Sequence, residues 1–318
     1  MEREMVIGID IGGTNTKFGV VNSAGKIHAK GEMKTTGYAQ PKSFVDDLKA
    51  DLQPMIDEYG GKNNFLGIGI GAPNGNYYSG CIEHAANLEW KGIVPIAELI
   101  SSSFEIPAFL TNDANAAAMG EMRYGAAKGM KDFIVITLGT GVGSGIVANG
   151  KLIIGHDGFA GELGHTVLRP GGRLHPGTGL KGCLEMYCSA GGVVANALEL
   201  LAIDPTPSLL REVDPQKLTS KQIFEYAQRG DQTAIKTFEY TGELLGEALA
   251  NFVMFSSPEA IILFGGLTKA GEMVRKPTKE SMEKHLLKVF QNKVKILFSE
   301  LDEADAAILG AAGLVVSS

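Results

Sequence analysis

The chain has 318 residues, a formal charge of −7, and 44% apolar, 20% charged and 7% aromatic residues. The apolar share excludes an intrinsically disordered chain, and the length predicts one large domain or two of ordinary size. An acidic balance without Lys/Arg runs argues against nucleic acid or an anionic membrane as a partner. Three cysteines, no secretory signal and no bilayer-length apolar stretch predict a reduced, cytoplasmic protein.

The first part of the chain predicts strands and helices in alternation. Residues 5–11 and 17–21 are strand-like runs joined by glycines, which predicts a hairpin. The polar segment 31–40 predicts a surface loop. Apolar residues spaced along one helix face follow Pro41 and predict a helix. Two strands and then a helix are predicted next, at 65–71, 108–111 and 113–122.

The strand–glycine-turn–strand pattern returns in the second part. Residues 132–138 predict a strand, 139–145 a glycine turn, and 146–148 a strand that Asn149-Gly150 turns into a hairpin. The remaining predicted elements are helices, two strands and a closing helix, at 194–201, 223–229, 234–255, 260–264, 294–298 and 305–315. Because the unit occurs twice, we predict a duplicated α/β architecture with two lobes facing across a cleft.

Both glycine turns have the composition of a phosphate site. In the segment 10–14 (DIGGT), glycines let backbone amides converge on an anion, and Thr14 adds a hydroxyl donor. The turn 139–143 (GTGVG) has the same character. The carboxylate of Asp10 beside such a turn suits a hydrated Mg²⁺. Either turn alone also fits a tight hairpin. A strand rather than a helix follows the second turn, and the chain has no P-loop motif, so neither common nucleotide fold is predicted.

Asn112 and Asp113 lie where a predicted strand gives way to a predicted helix. An aspartate at such a place is often the N-cap of the helix. It is also suited to be a general base at the end of a strand, with Asn112 offering its amide to a ligand hydroxyl. The spacing leaves both interpretations open.

Two carboxylates and an imidazole lie in a glycine-rich stretch of the second half, at Glu162, His165 and Glu185. Such groups bind vicinal hydroxyls in pairs, which is typical of a polyol site. Solvated surface charges and a buried histidine are the alternative interpretation. The same stretch contains the potential zinc ligands His165, His175, Cys183 and Cys188. It has no C-x₂-C pair, so a zinc site is disfavoured.

Taken in order, these segments resemble the ROK family of sugar kinases and sugar-responsive repressors, most closely its glucokinase-type enzymes. Each segment alone is weak evidence for the family, but the same segments in the family's order over nearly the whole chain are highly specific evidence for it. The matching segments are 10–17 (DIGGTNTK), 69–73 (GIGAP), 86–88 (ANL), 112–117 (NDANAA), 138–143 (LGTGVG), 161–165 (GELGH), 182–185 (GCLE), 263–266 (LFGG) and 308–312 (ILGAA).

The resemblance implies a duplicated actin-like (ribonuclease H-like) ATPase fold with two lobes around an interdomain cleft. Residues 1–113 and 303–318 would form the N-terminal α/β lobe, and residues 114–302 a larger C-terminal α/β lobe. The implied activity is ATP- and Mg²⁺-dependent phosphorylation of a hexose at its 6-hydroxyl, and glucose is the expected substrate. Mannose, fructose, N-acetylmannosamine and N-acetylglucosamine are the rival substrates. The implied assembly is a homodimer.

A non-catalytic sugar sensor and an unrelated nucleotide-binding module are the alternatives from other classes. Repressors of the family carry a DNA-binding segment ahead of the first phosphate element. Only nine residues precede Asp10, so we expect no helix-turn-helix. The unrelated module would leave the Glu/His series of the second half unexplained.

The resemblance also implies roles residue by residue. Asp113 would take the proton from the sugar hydroxyl, and Asp10 would hold Mg²⁺ through water. The implied sugar ligands are Asn87, Asn112, Glu162, His165 and Glu185. The implied nucleotide contacts are Asp10, Gly12, Gly13, Thr14, Lys17, Thr140, Gly141, Gly265 and Gly266.

One departure from the family concerns zinc. Most members carry C-x-C-G-x-x-G-C-x-E and bind zinc through the three cysteines and the histidine of the Gly-His pair. Here Pro176 and Thr178 occupy the first two cysteine positions, and only Cys183 remains. We therefore expect no zinc, a metal-free His165, and a loop that other contacts order.

Overall fold

The computed structural model describes residues 5–302 and 304–315, so residues 1–4, 303 and 316–318 of the predicted N-terminal lobe lie outside the described residues. The strands are β1 (Met5–Ile11), β2 (Asn15–Asn22), β3 (Ile27–Lys34), β4 (Phe65–Gly71), β5 (Ile82–Glu83), β6 (Ile93–Val94), β7 (Ala108–Thr111), β8 (Phe133–Leu138), β9 (Val142–Ala148), β10 (Lys151–Leu152), β11 (Ala260–Phe264) and β12 (Lys295–Phe298). The α-helices are α1 (Pro41–Glu58), α2 (Ile96–Phe104), α3 (Asp113–Tyr124), α4 (Glu185–Cys188), α5 (Ala190–Ile203), α6 (Ser220–Gln228), α7 (Gln232–Ser256), α8 (Glu272–His285) and α9 (Ala306–Val315).

The first five-stranded sheet has the order β3-β2-β1-β4-β7. Its first three strands pair antiparallel, and β4 pairs parallel with both β1 and β7. Successive side chains of a strand point to opposite faces. Accordingly Ile7 and Ile9 of β1 join the core that contains α1, whereas Val6 joins the cluster that contains residues of α9. The sheet is therefore covered by helices on both faces.

The second five-stranded sheet has the order β10-β9-β8-β11-β12. Strand β11 pairs parallel with β8 and β12, and β10 pairs antiparallel with β9. Numbered within their own sheets, the strands of both sheets follow the same order, with the first strand of each in the middle. This repeat confirms the duplicated α/β fold predicted from the two strand–glycine-turn–strand units.

The chain divides into two compact units. The first contains Met1–Lys131, Gly145–Gly161 and Ser299–Ser318, and the second contains Asp132–Ser144 and Glu162–Phe298. These bounds differ from the predicted boundary after residue 113, because helix α3 packs against α9 and β4 of the first unit. Among the described residues, none of the helices is both long enough and apolar enough to span a bilayer.

Two predicted features of the chain course are corrected. The segment 31–40, predicted as a surface loop, begins inside β3, which pairs with β2 along its length. Exposed and half-buried residues alternate along the second half of this edge strand, and it contains no apolar run from which a strand could be predicted. Helix α8 was absent from the prediction because it is strongly charged and contains Pro277.

Helix α9 approaches the first sheet so closely that glycine is needed in the strands below it. A Cβ built on Gly69 of β4 would lie 1.9 Å from the carbonyl oxygen of Ala311, and one on Gly8 of β1 would lie 2.1 Å from that of Ile308. The obstacle is backbone in both cases, so no side-chain rotation relieves it. These glycines therefore permit α9 to lie directly on the sheet.

Gly69→Ala should lower the free energy of unfolding by about 2–3 kcal/mol, the upper part of the range expected for overpacking a dense core. Urea unfolding measures the change. Gly191→Ala in α5 is the matched control, because the nearest atom to its new Cβ is 3.9 Å away and alanine is the better helix former. Equal destabilisation by both substitutions would contradict the close approach of α9.

Candidate active site

Two carboxylates lie near the carboxyl ends of strands in the first unit. Asp10 is the penultimate residue of β1, and Asp113 follows β7 and opens α3. Strand β4 runs between β1 and β7 and ends at Gly71. A Cβ on Gly71 would lie 3.5 Å from Oδ1 of Asp10 and 3.9 Å from Cα of Asp113. The two acidic residues predicted as Mg²⁺ ligand and base are thus neighbours.

Burial raises the pKa of both carboxyls. The pKa of Asp10 is raised to about 6, first by desolvation and then by the charge of Asp113, while Lys17 lowers it. Lys17 lies opposite Asp10 in the antiparallel register of β1 and β2. The pKa of Asp113 is raised by burial even though the amide of Ala114 donates to its Oδ1 at 2.8 Å. A buried carboxylate with a raised pKa is a stronger proton acceptor.

The N-cap of α3 is Asn112, not Asp113. Oδ1 of Asn112 accepts a hydrogen bond from the amide of Asn115 at 2.7 Å. This corrects the alternative in which Asp113 caps the helix. The side chain of Asn112 therefore supplies the N-cap, whereas the carboxylate of Asp113 accepts only from the first turn's own amides and retains acceptor capacity.

The first glycine turn brings a predicted sugar ligand next to the predicted phosphate contacts. The amide of Gly12 donates to the carbonyl of Asn15 at 3.0 Å and closes the turn, at whose tip Thr14 is exposed. A Cβ on Gly13 would lie 2.8 Å from the carbonyl oxygen of Asn87 and 3.5 Å from its Nδ2. Asn87 therefore lies against this turn.

The second glycine turn lines a cavity of about 580 Å³ in the second unit. The amide of Gly139 donates to the carbonyl of Gly141 at 3.0 Å. Thr140 and Gly266 both line the cavity, and Gly265, with φ of 104°, lies against the backbone of Leu138. Three of the predicted nucleotide contacts, Thr140, Gly265 and Gly266, are thus brought to one place.

The same cavity has an apolar wall and a polar rim. The apolar lining includes Leu138, Phe224, Phe238, Leu267 and Ala270, and the polar lining includes Lys221, Glu225, Gln228 and Lys269. Such a lining suits a flat heterocycle with polar edges. Sequence reasoning missed the contribution of α6, because its residues show only the amphipathic spacing of an ordinary helix.

The predicted sugar ligands of the second unit converge around two histidines. Nε2 of His165 lies 3.9 Å from Oε2 of Glu162, and its Nδ1 is buried with no partner among the described residues. The rings of His165 and His175 meet edge to face, with centroids 5.4 Å apart. Nε2 of His175 lies 2.6 Å from Oε1 of Glu185. His175 is a member of this cluster that the predicted sugar ligands did not include.

Gly141 is required by the position of Glu185. A Cβ on Gly141 would lie 2.5 Å from Oε2 of Glu185. That same oxygen accepts a hydrogen bond from the amide of Val142 at 2.7 Å. The second glycine turn therefore holds a carboxylate of the predicted sugar site as well as lining the cavity.

The residues at the family's zinc positions do not fit a zinc ion. Pro176 has no ligand atom, and Oγ1 of Thr178 accepts the amide of Leu180 at 3.3 Å. Cys183 is fully buried. A tetrahedral site of sulfur and nitrogen ligands cannot be assembled from this set.

Comparison with known proteins assigns the family. The sequence profile of the ROK family matches residues 6–318. The chain belongs to the ROK family. The match confirms the resemblance inferred from the ordered segments.

Similar proteins cover the chain almost completely. The glucokinase of Halalkalibacterium halodurans is 34% identical, covering 99% of this chain and 96% of its own. The glucokinase of Thermotoga maritima is 31% identical, with coverages of 99% and 98%. A crystal structure of a ROK family glucokinase from Streptomyces griseus in complex with glucose and AMPPNP is 32% identical, with a TM-score of 0.79 and coverages of 99% and 100%. This likeness confirms the predicted actin-like ATPase fold of this ROK protein.

Proposed function

We propose that this ROK protein is an ATP-dependent hexose kinase that phosphorylates the 6-hydroxyl of glucose, with Asp113 as general base. The observation that carries the proposal is the buried Asp113 carboxylate, which has a raised pKa and is relieved of helix capping by Asn112. Full-length similarity to glucokinases, one of them solved with glucose and AMPPNP, supports the same reaction.

Phosphoryl transfer depends mainly on positioning and charge neutralisation. Asp113 takes the proton of the attacking hydroxyl and orients its oxygen. Asn112 uses its Oδ1 for the helix cap and offers its amide nitrogen to a sugar hydroxyl. The remaining sugar ligands are Asn87, Glu162, His165 and Glu185. Their carboxylates accept hydrogen bonds from vicinal hydroxyls, and the imidazole and amide groups complete the pairs.

The nucleotide is held by the two glycine turns and the cavity. The apolar wall that includes Phe224 and Phe238 receives the adenine. Thr140 and Gly141 contact the phosphates, and Gly265-Gly266 lies near the adenosine. In the first unit, Gly12, Gly13, Thr14 and Lys17 contact the phosphates. Asp10 would hold Mg²⁺ through water, and the bound ion would neutralise phosphate charge. The proposal includes the homodimer and cytoplasmic location that accompany the resemblance.

A coupled ADP-release assay with Mg-ATP across free hexoses and amino sugars tests this function. We expect glucose to have the highest kcat/KM. A higher kcat/KM for mannose, fructose or an N-acetylated amino sugar would show that this sugar, and not glucose, is the preferred substrate. The proposed kinase activity would still stand. No ADP release with any sugar, together with intact sugar binding in calorimetry, would contradict the kinase and favour a sensor.

A further inference from the structure

Glu185 is held at both of its carboxylate oxygens. His175 contacts Oε1 at 2.6 Å, and the amide of Val142 donates to Oε2 at 2.7 Å. The side chains of His175 and Glu185 are only 15% and 19% exposed. Because each carboxylate oxygen can accept more than one hydrogen bond, the fixed carboxylate still has acceptor capacity for a ligand hydroxyl.

The surroundings of His175 determine which of its nitrogens carries the proton. The amide of Thr178 donates to Nδ1 at 3.1 Å, so Nδ1 is an acceptor. A neutral imidazole has one donor and one acceptor nitrogen, so Nε2 carries the hydrogen. His175 therefore donates a hydrogen bond to the carboxylate of Glu185.

This tautomer argues against a metal in the cluster. His165, His175 and Glu185 each place one possible ligand atom within 4.8 Å of the others. A histidine that binds a metal through Nε2 donates its Nδ1 hydrogen to a neighbouring acceptor. Here Nδ1 of His175 faces a backbone N–H donor, which opposes that arrangement.

The loop that carries His175 is fixed by its own backbone. The carbonyl of Gly182 accepts from the amides of Leu168 and Arg169, and the amide of Gly182 donates to the carbonyl of Arg173. A Cβ on Gly182, whose φ is 76°, would lie 1.7 Å from the carbonyl oxygen of Arg169. The amide of His175 itself donates to the carbonyl of Leu180 at 2.7 Å. His175 is thus presented from an ordered loop.

Arg173 adds a side-chain anchor to the same loop. Its guanidinium pairs with Glu199 of α5, donates to the carbonyl of Met186 and lies 4.5 Å from the ring centroid of Tyr187. These contacts join the loop to α4 and α5. The donor nitrogen of His175 is therefore held against Glu185 before any ligand arrives.

We propose that His175 is a positioning residue that fixes Glu185 for sugar binding by hydrogen bonding from Nε2. The inference deepens the proposed function, since it rests on Glu185 as a sugar ligand. The interaction is made in the free protein and persists in the ground-state complex. Its loss therefore weakens sugar binding more than it slows the chemical step.

His175→Leu should raise the KM and the calorimetric Kd for glucose by about 10-fold or more, with kcat and the KM for ATP within about 3-fold. Loss of a hydrogen bond to a charged group typically weakens binding by about this factor. His175→Gln retains an N–H donor and should recover most of the affinity. Leu174→Ala, at an exposed neighbour, is the control for disturbance of the loop. Unchanged glucose affinity in His175→Leu would overturn the proposal, as would a loss that His175→Gln does not rescue.

Nitrogen NMR of the ¹⁵N-labelled free protein tests the proposal without sugar or turnover. We expect the neutral imidazole of His175 to carry its hydrogen on Nε2 and none on Nδ1. The opposite tautomer, or one tightly bound zinc per chain that His175→Leu abolishes, would overturn it. A failure of the proposed kinase function would be seen in a different measurement, because the wild-type protein would then release no ADP with any sugar.

Discussion

Asp113→Asn should lower kcat by about 10²-fold or more while the Kd for glucose changes by less than about 3-fold. The amide has nearly the shape of the carboxylate but does not accept the hydroxyl proton. Asn112 still caps α3 in the variant, so the helix terminus stays intact. Coupled turnover and calorimetry of glucose binding measure the two quantities on the same preparation.

The pH dependence provides a second measurement of the same residue. Burial raises the pKa of Asp113, so kcat/KM should fall on acidification at a pH above the ordinary range of aspartate. Asp57→Asn, at an exposed carboxylate of α1, is the matched control and should leave turnover unchanged. Near-normal turnover of Asp113→Asn would exclude this residue as the base.

Asp10→Asn should raise the free energy of unfolding of the ligand-free protein by up to about 3 kcal/mol at pH 7.5. The pKa of Asp10 rises from 3.8 to about 6 on folding, and each unit is worth about 1.36 kcal/mol. Protonated Asp10 thus favours the folded state fully below pH 3.8. That contribution is lost as the pH rises through about 6, and the neutral amide does not incur the loss.

Urea unfolding at several pH values between 4 and 7.5 checks this prediction. The stability difference between Asp10→Asn and the wild type should be small near pH 4 and reach its plateau above pH 6. A difference that is independent of pH would contradict it. The variant should also lose Mg-ATP-dependent turnover, which would make Asp10 a residue that costs stability and serves function. Asp57→Asn, with an exposed side chain, controls for the removal of one negative charge.

The elements that the sequence predicted best are buried strands. The predicted bounds of β1, β4, β7 and β11 agree with those in the structure, because each is a mainly apolar run between turns. Strand β3 was missed since its pairing with β2, not its composition, makes it a strand. Helix α8 tolerates Pro277 where its ring packs against Gly242 of α7, a contact between distant segments.

The candidate site also contains some features that the sequence predicted and others that it missed. The sequence predicted Asp10 and Asp113 each at the end of a strand, but it did not predict that the two residues are neighbours. Their proximity follows from the strand order β1-β4-β7, which places both strand ends at one edge of the sheet. The contact of His175 with Glu185 depends on backbone hydrogen bonds that fold the loop back on itself, such as those of Gly182. No spacing rule encodes them. Likewise, the wall formed by α6 depends on where that helix packs.

The seating of α9 on β1 and β4 has a consequence for biosynthesis. Residues 306–315 leave the ribosome long after strands 5–11 and 65–71, yet they cover one face of the sheet those strands build. The nascent N-terminal half therefore leaves the sheet uncovered at Gly8 and Gly69 until residues 306–315 have been synthesised. A nascent chain stalled before residue 306 should therefore remain protease-sensitive in the part of the sheet that α9 covers in the folded protein.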